Sequence, residues 1–85
     1  MISETTKKEN IKAFLDSRIV WMRTTKKQLS KKIGVSESAM CRHIADTDRI
    51  SIEELRKLTE LLGLSDEEVL KIVKKGKFDK NDVYR

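Results

Sequence analysis

TKKQLSKKIGVSESAMCRHIA, residues Thr25 to Ala45, decides how the rest of the chain is read. Leu29 and Ile33 stand four apart and stack on one side of a helix, while Lys26, Lys27, Lys31 and Lys32 take the other sides. Gly34 then reverses the chain, because glycine enters the left-handed backbone region without a Cβ penalty. Val35 plugs the turn and Ser36 caps a second helix reaching about Ala45. Two short helices about one tight turn are the helix-turn-helix arrangement, whose second helix enters a DNA major groove.

At about 100° per residue, the second helix splits into two faces. Ala39, Met40, His43 and Ile44 form a packing side, while Ser38, Cys41, Arg42 and Ala45 point the opposite way, with Glu37 at the border. The outward set is small and polar with one arginine, a composition that suits close approach to base edges.

These residues also carry a family likeness. LSKKIGVSESAMCRHI, followed by RISIEELRKLTELLGLS, resembles the phage repressor/Cro, or xenobiotic-response-element, helix-turn-helix family over about residues 11 to 73. The resemblance implies an all-α, five-helix, repressor-like DNA-binding domain. It implies base reading from Glu37 and Ser38, and a phosphate contact from Lys26, which stands where the family commonly has glutamine. It also departs from the family. Asp46 replaces a common glycine, the proline before the next helix is missing, and an Arg–Glu pair of many members falls on Ile19 and Ile44. Two isoleucines at paired sites fit replacement of an ion pair by apolar packing.

Eighty-five residues allow one domain with a small core. We expect a flexible lead-in over residues 1–6, the domain over 7–75 and a polar tail over 76–85. The first helix, about Lys7 to Met22, stacks Ile11, Phe14, Leu15, Ile19 and Met22, with Lys12 and Arg18 outside. Trp21 falls off that stripe, at the core edge or on a partner surface. Thr25 is the expected N-cap of the next helix, and Asp46 to Arg49 a polar linker whose path stays open, since Asp46 can take a left-handed turn less readily than glycine. Ser51 and Glu54 spell one capping box, Ser65 and Glu68 another. Leu55, Leu58 and Leu62, helped by Ile52 and Leu61, line the buried side of the helix that Gly63 ends. Val69, Leu70, Ile72 and Val73 give a short last helix. In the tail, Phe78, Val83 and Tyr84 leave both a disordered segment and a docking arm open.

The formal charge of +5 is uneven: residues 1 to 35 hold nine Lys and Arg against three Asp and Glu, a balance of +6. That excess suits phosphate, with Thr25, Lys26, Lys27, Lys31 and Arg49 as the expected contacts; these set affinity and register. Arg42 is the main candidate base reader, since arginine donates in bidentate fashion to guanine O6 and N7. Ser38 accepts or donates to any base, and Cys41 shares the stripe. Glu37 either accepts from cytosine N4 or favours the helix N-terminus. Cys41 and His43 lie roughly 200° apart on the helix and lack a second ligand pair, so no metal site is expected. No catalytic constellation and no cofactor site is expected either, and the chain reads as a non-enzyme.

No apolar run approaches the roughly 20 residues of a membrane span. A single cysteine and the lack of a signal pattern suit a reducing cytoplasm. The reading is a sequence-specific duplex-DNA-binding transcriptional regulator, Cro-like or repressor-like, of a phage or mobile element. It binds a two-fold operator as a homodimer, with Val69, Ile72, Val73, Phe78 and Tyr84 as the available apolar surface. The alternatives are an antitoxin that grips a toxin through the C-terminal helix or tail, and a protein-interaction adaptor that no longer enters DNA.

Overall fold

A computed structural model describes residues 4–76, with side chains from Thr6 onward. Five α-helices follow one another: α1 Glu4–Trp21, α2 Lys26–Ile33, α3 Glu37–Ala45, α4 Ile52–Leu62 and α5 Asp66–Lys74. A 3-10 turn, Thr47–Arg49, joins α3 to α4. The architecture is all-α, and no strand occurs among the described residues.

Each helix boundary has a local cause. Thr25, Ser36, Ser51 and Ser65 sit in extended backbone, and each hydroxyl accepts the amide three residues on. Such caps each contribute about 1 kcal/mol. Gly34 and Gly63 close α2 and α4 at φ 92° and 61°, a region that side chains resist. α1 starts at Glu4, three residues before the expected Lys7, and ends at Trp21. Met22 therefore lies beyond the helix, 40% exposed, rather than on the core stripe.

The core draws from every α-helix. Ile11, Phe14, Leu15 and Ile19 of α1 meet Leu29 and Ile33 of α2, Met40 and Ile44 of α3, Leu58 and Leu62 of α4, Leu64, and Ile72 of α5. Burying side chains of this size contributes roughly 1.5–3 kcal/mol each. Ile19 and Ile44 are both buried in it, as the apolar reading of that pair expects.

Four expectations are corrected. Arg18 is not outside: it is buried, donating to the carbonyls of Leu62 and Gly63 at 3.3 and 3.1 Å and to the Glu68 carboxylate. Its guanidinium also stacks between Phe14 and Trp21, at 5.3 and 5.8 Å from the ring centroids. Asp46 is not left-handed but extended, at φ −144°. Its carboxylate caps the 3-10 turn by accepting the Asp48 amide at 3.3 Å, so the turn closes without a glycine. Ile52 contributes nothing to the core at 71% exposure, because it opens α4 on the solvent side. Ile72 is core rather than partner surface; of the other expected dimer residues, Val73 is exposed and Val69 half-buried, while Phe78 and Tyr84, like Val83 of the tail, lie outside the described residues.

Candidate nucleic-acid interface

α3 sits on the body through Met40 and Ile44, which are buried, and through Ala39 and His43, which are half-buried. The opposite stripe, Glu37, Ser38, Cys41, Arg42 and Ala45, is exposed throughout. The faces divide where the helical phase puts them. Among the described residues the Arg42 guanidinium has no ion pair or hydrogen bond of its own, and Cys41 is an exposed free thiol. Lys26 and Arg49 pair with aspartates, whereas Arg42, like Lys27, Lys31 and Lys32, has no ion pair among the described residues, and of these only Arg42 lies on the α3 stripe. The stripe can take hydrogen bonds and close apolar contact.

The pitch of α3 is set from behind. His43 Nδ1 lies 2.7 and 2.9 Å from the two carboxylate oxygens of Glu54. A carboxylate only accepts, so Nδ1 carries the proton. Glu54 is buried at the N-terminus of α4, and its own amide is capped by Ser51 at 3.1 Å. The carboxylate that the sequence assigns to the reciprocal half of a capping box turns instead to α3. His43 therefore faces inward while Cys41 faces solvent, and the two do not converge. Among the described residues no three His, Cys, Asp or Glu side chains gather as metal ligands do.

The expected phosphate residues form two groups and an outlier. Thr25, Lys26 and Lys27 stand together at the N-terminus of α2, where backbone amides and the helix dipole favour anions. The Thr25 hydroxyl already accepts the Gln28 amide at 3.1 Å. Lys26 is half-buried, its ammonium 3.0 Å from Asp16 Oδ1 in an ion pair without the alignment of a hydrogen bond. Lys27 is exposed, and its ammonium has no partner among the described residues. Arg49 belongs to the far end of α3, 62% exposed, its Nε 3.6 Å from Asp46. Lys31 is the outlier, lining a cleft with Met22, Arg23, Lys32 and Leu61 to which α3 contributes nothing.

Sequence reasoning missed the residues that hold these groups in place. Asp16 accepts from Lys12 at 2.6 Å and pairs with Lys26. Partial burial pushes its carboxyl up, but the two ammoniums outweigh that and hold it below the ordinary carboxylate range. The Lys12–Asp16 spacing of four was a legible clue; the link to Lys26 was not. At the 3-10 turn, Asp46 is drawn down in the same sense. Desolvation opposes ionisation there, and the Asp48 amide, Lys8 and Arg49 overcome it. Lys75 adds a 2.8 Å contact to Asp48, and Lys57 donates to the Ile33 carbonyl at 3.2 Å. The turn after α3 and the end of α2 are thus tied to α1, α4 and the end of α5.

The family model for a Cro/C1-type HTH DNA-binding domain matches residues 15–75, from Leu15 through the end of α5. No curated protein and no solved structure matches the chain.

Proposed function

The chain belongs to the Cro/C1-type helix-turn-helix DNA-binding family, and from that premise we propose that it regulates transcription by reading one duplex sequence with the outward stripe of α3. The carrying observation is that stripe: Glu37, Ser38, Cys41, Arg42 and Ala45 are exposed, Arg42 has no partner among the described residues, and His43–Glu54 holds the helix from behind. Arg42 reads a guanine through O6 and N7, and Ser38 and Cys41 approach the neighbouring base edges. Glu37, an acceptor among phosphates, selects chiefly by rejecting sequences that offer it no donor.

Thr25, Lys26 and Lys27 grip phosphate on one side of α3 and Arg49 on the other; Lys31 is the weakest member of the set. About four to six phosphate contacts give a log–log salt slope of roughly −4 to −5. One small module covers few base pairs, so the protein acts as a homodimer on two-fold half-sites about one helical turn apart. Occupying a promoter in this way makes it a repressor, of the kind a phage or mobile element carries, working in the cytoplasm. No helix among the described residues is long and apolar enough to cross a membrane.

Selection of bound duplexes from random sequence tests the reading. A recurrent half-site, lost on Arg42→Ala at one position, is the expected outcome. Failure to retain any duplex at low salt overturns it and returns the chain to the protein-adaptor alternative; capture of a toxin by a DNA-binding chain points to the antitoxin.

A further inference from the structure

Ser51 to Glu54 and Ser65 to Glu68 spell the same capping pattern, yet the structure treats the two glutamates differently. Glu68 completes its box: Oε1 accepts the Ser65 amide at 2.9 Å while Oε2 takes Arg18. Glu54 is as deeply buried, but its two oxygens lie 2.9 and 2.7 Å from His43 Nδ1 and neither returns to the Ser51 amide. No other partner of the Glu54 carboxylate occurs among the described residues. The start of α4 thus forgoes half of its cap, and a buried carboxylate is committed to one imidazole.

That contact supplies what the apolar packing of α3 lacks. Met40 and Ile44, its buried residues, stand four apart and fall within about 40° of one line along the helix. Apolar contact is non-directional, so a single line of it resists roll poorly. His43 lies about 60° and 100° around the helix from those two. Its bond to Glu54 is the one hydrogen-bonded link between α3 and α4 among the described residues. A roll of about 20° carries a group about 6 Å from the helix axis through about 2 Å. A bidentate contact to a base needs its donors held within about 0.5 Å. Arg42, the neighbour of His43, has no partner among the described residues to hold it otherwise.

We propose that His43 and Glu54 are a positioning pair that sets base discrimination, an inference that rests on the reading of α3 as the base-reading helix. Glu54 holds the imidazole, the imidazole fixes the roll of α3 about the Met40–Ile44 line, and the roll decides where Arg42 and Ser38 meet the base edges. Both residues act from behind the helix: His43 is half-buried on its inner side, and Glu54 is buried in the first turn of α4. Lys57, one turn further along α4, does not compete for Glu54, because its ammonium is taken by the Ile33 carbonyl and Glu53. Specificity then depends on a carboxylate that never reaches DNA.

Three variants of the full chain separate positioning from stability, each titrated against the selected site and its single-base variants. His43→Leu strands the Glu54 carboxylate and should lower both the urea midpoint and the discrimination. His43→Leu with Glu54→Leu removes both polar groups, an exchange that is often neutral for stability. Its urea midpoint should return close to wild type, while discrimination at the base read by Arg42 stays about tenfold down. His43→Asn should recover that discrimination, because the asparagine amide nitrogen stands where Nδ1 does and still donates to Glu54. A ratio of affinities for two duplexes cancels any uniform effect of the altered charge. Wild-type discrimination in the double-leucine variant, or no recovery in His43→Asn, overturns the proposal. Amide relaxation dispersion reads the pose of α3 without DNA. Exchange broadening at Cys41, Arg42 and Ala45 is expected in the double-leucine variant and should be suppressed in His43→Asn; equal profiles in all chains also overturn the pair. A wild-type chain that retains no duplex fails the base-reading premise instead, and the dispersion measurement still decides whether His43 and Glu54 hold α3.

Discussion

Arg18 and Arg42 carry the same side chain to opposite ends. At the junction of α1, α4 and α5, Arg18 is buried against two carbonyls, a carboxylate and two rings. On the outer stripe of α3, Arg42 is exposed and engages nothing in the described chain. A guanidinium with its donors satisfied internally is part of the fold, because taking it out of water required those partners. One left in solvent is available to a ligand. Charge counted along the sequence treats the two alike; among the described residues the structure leaves only one of them open to a ligand.

The sharpest way to break that comparison is at the buried end. Arg18→Ala strands the Glu68 carboxylate, and loss of one partner from such a pair costs roughly 3–5 kcal/mol. Urea unfolding should show that loss, a large share of the roughly 5–15 kcal/mol that holds a small domain folded. Glu68→Gln should fall short of it, since the amide can still accept the Ser65 N–H that Glu68 Oε1 takes at 2.9 Å. Unchanged stability in Arg18→Ala would show that the junction is not held by this pair.

Arg42→Ala should do the reverse. Stability should stay within about 0.5 kcal/mol, as for other exposed replacements, while affinity for the selected site falls by about 1–3 kcal/mol at one base position. Titration against single-base variants of the site distinguishes this from a phosphate contact, whose loss weakens every duplex alike. Full base preference in Arg42→Ala would mean the reading face of α3 is wrongly drawn, with Glu37, Ser38 and Cys41 drawn wrongly too.

Lys26 stands between the two arginines, half-buried on Asp16 yet placed at the start of α2. Its replacement by alanine should shallow the salt slope by about one unit for all sequences, and also lower stability by a few tenths to about 1 kcal/mol. Lys27→Ala should give the slope change alone. Equal stability losses in the two variants would show that the Asp16 contact does not hold Lys26.

The smallest effect lies in the acid limb of stability. The folded Asp16 carboxyl is held below its ordinary value near 3.8, because Lys12 and Lys26 outweigh the effect of burial. A depressed carboxyl stabilises the fold above the unfolded value, and that contribution fades as pH falls through the folded one. Asp16→Asn should therefore flatten the loss of stability below about pH 4 and leave recognition at neutral pH nearly intact. An acid limb as steep as wild type would assign it elsewhere, for instance to Asp46.

The sequence by itself determined the helices, their caps and the rotation of α3. Thr25, Ser36, Ser51 and Ser65 bond three residues on, Gly34 and Gly63 turn the backbone locally, and Met40 with Ile44 fixes a phase, all within one or two helical turns. Tertiary structure alone decided where long polar side chains went. Arg18 reaches Glu68 across 50 residues, Lys26 reaches back to Asp16, and Glu54 leaves the capping box it spells for His43. A capping pattern lies within a four-residue window, but a buried charge takes whichever partner the packed helices bring within reach. No window along the chain contains both ends of those contacts.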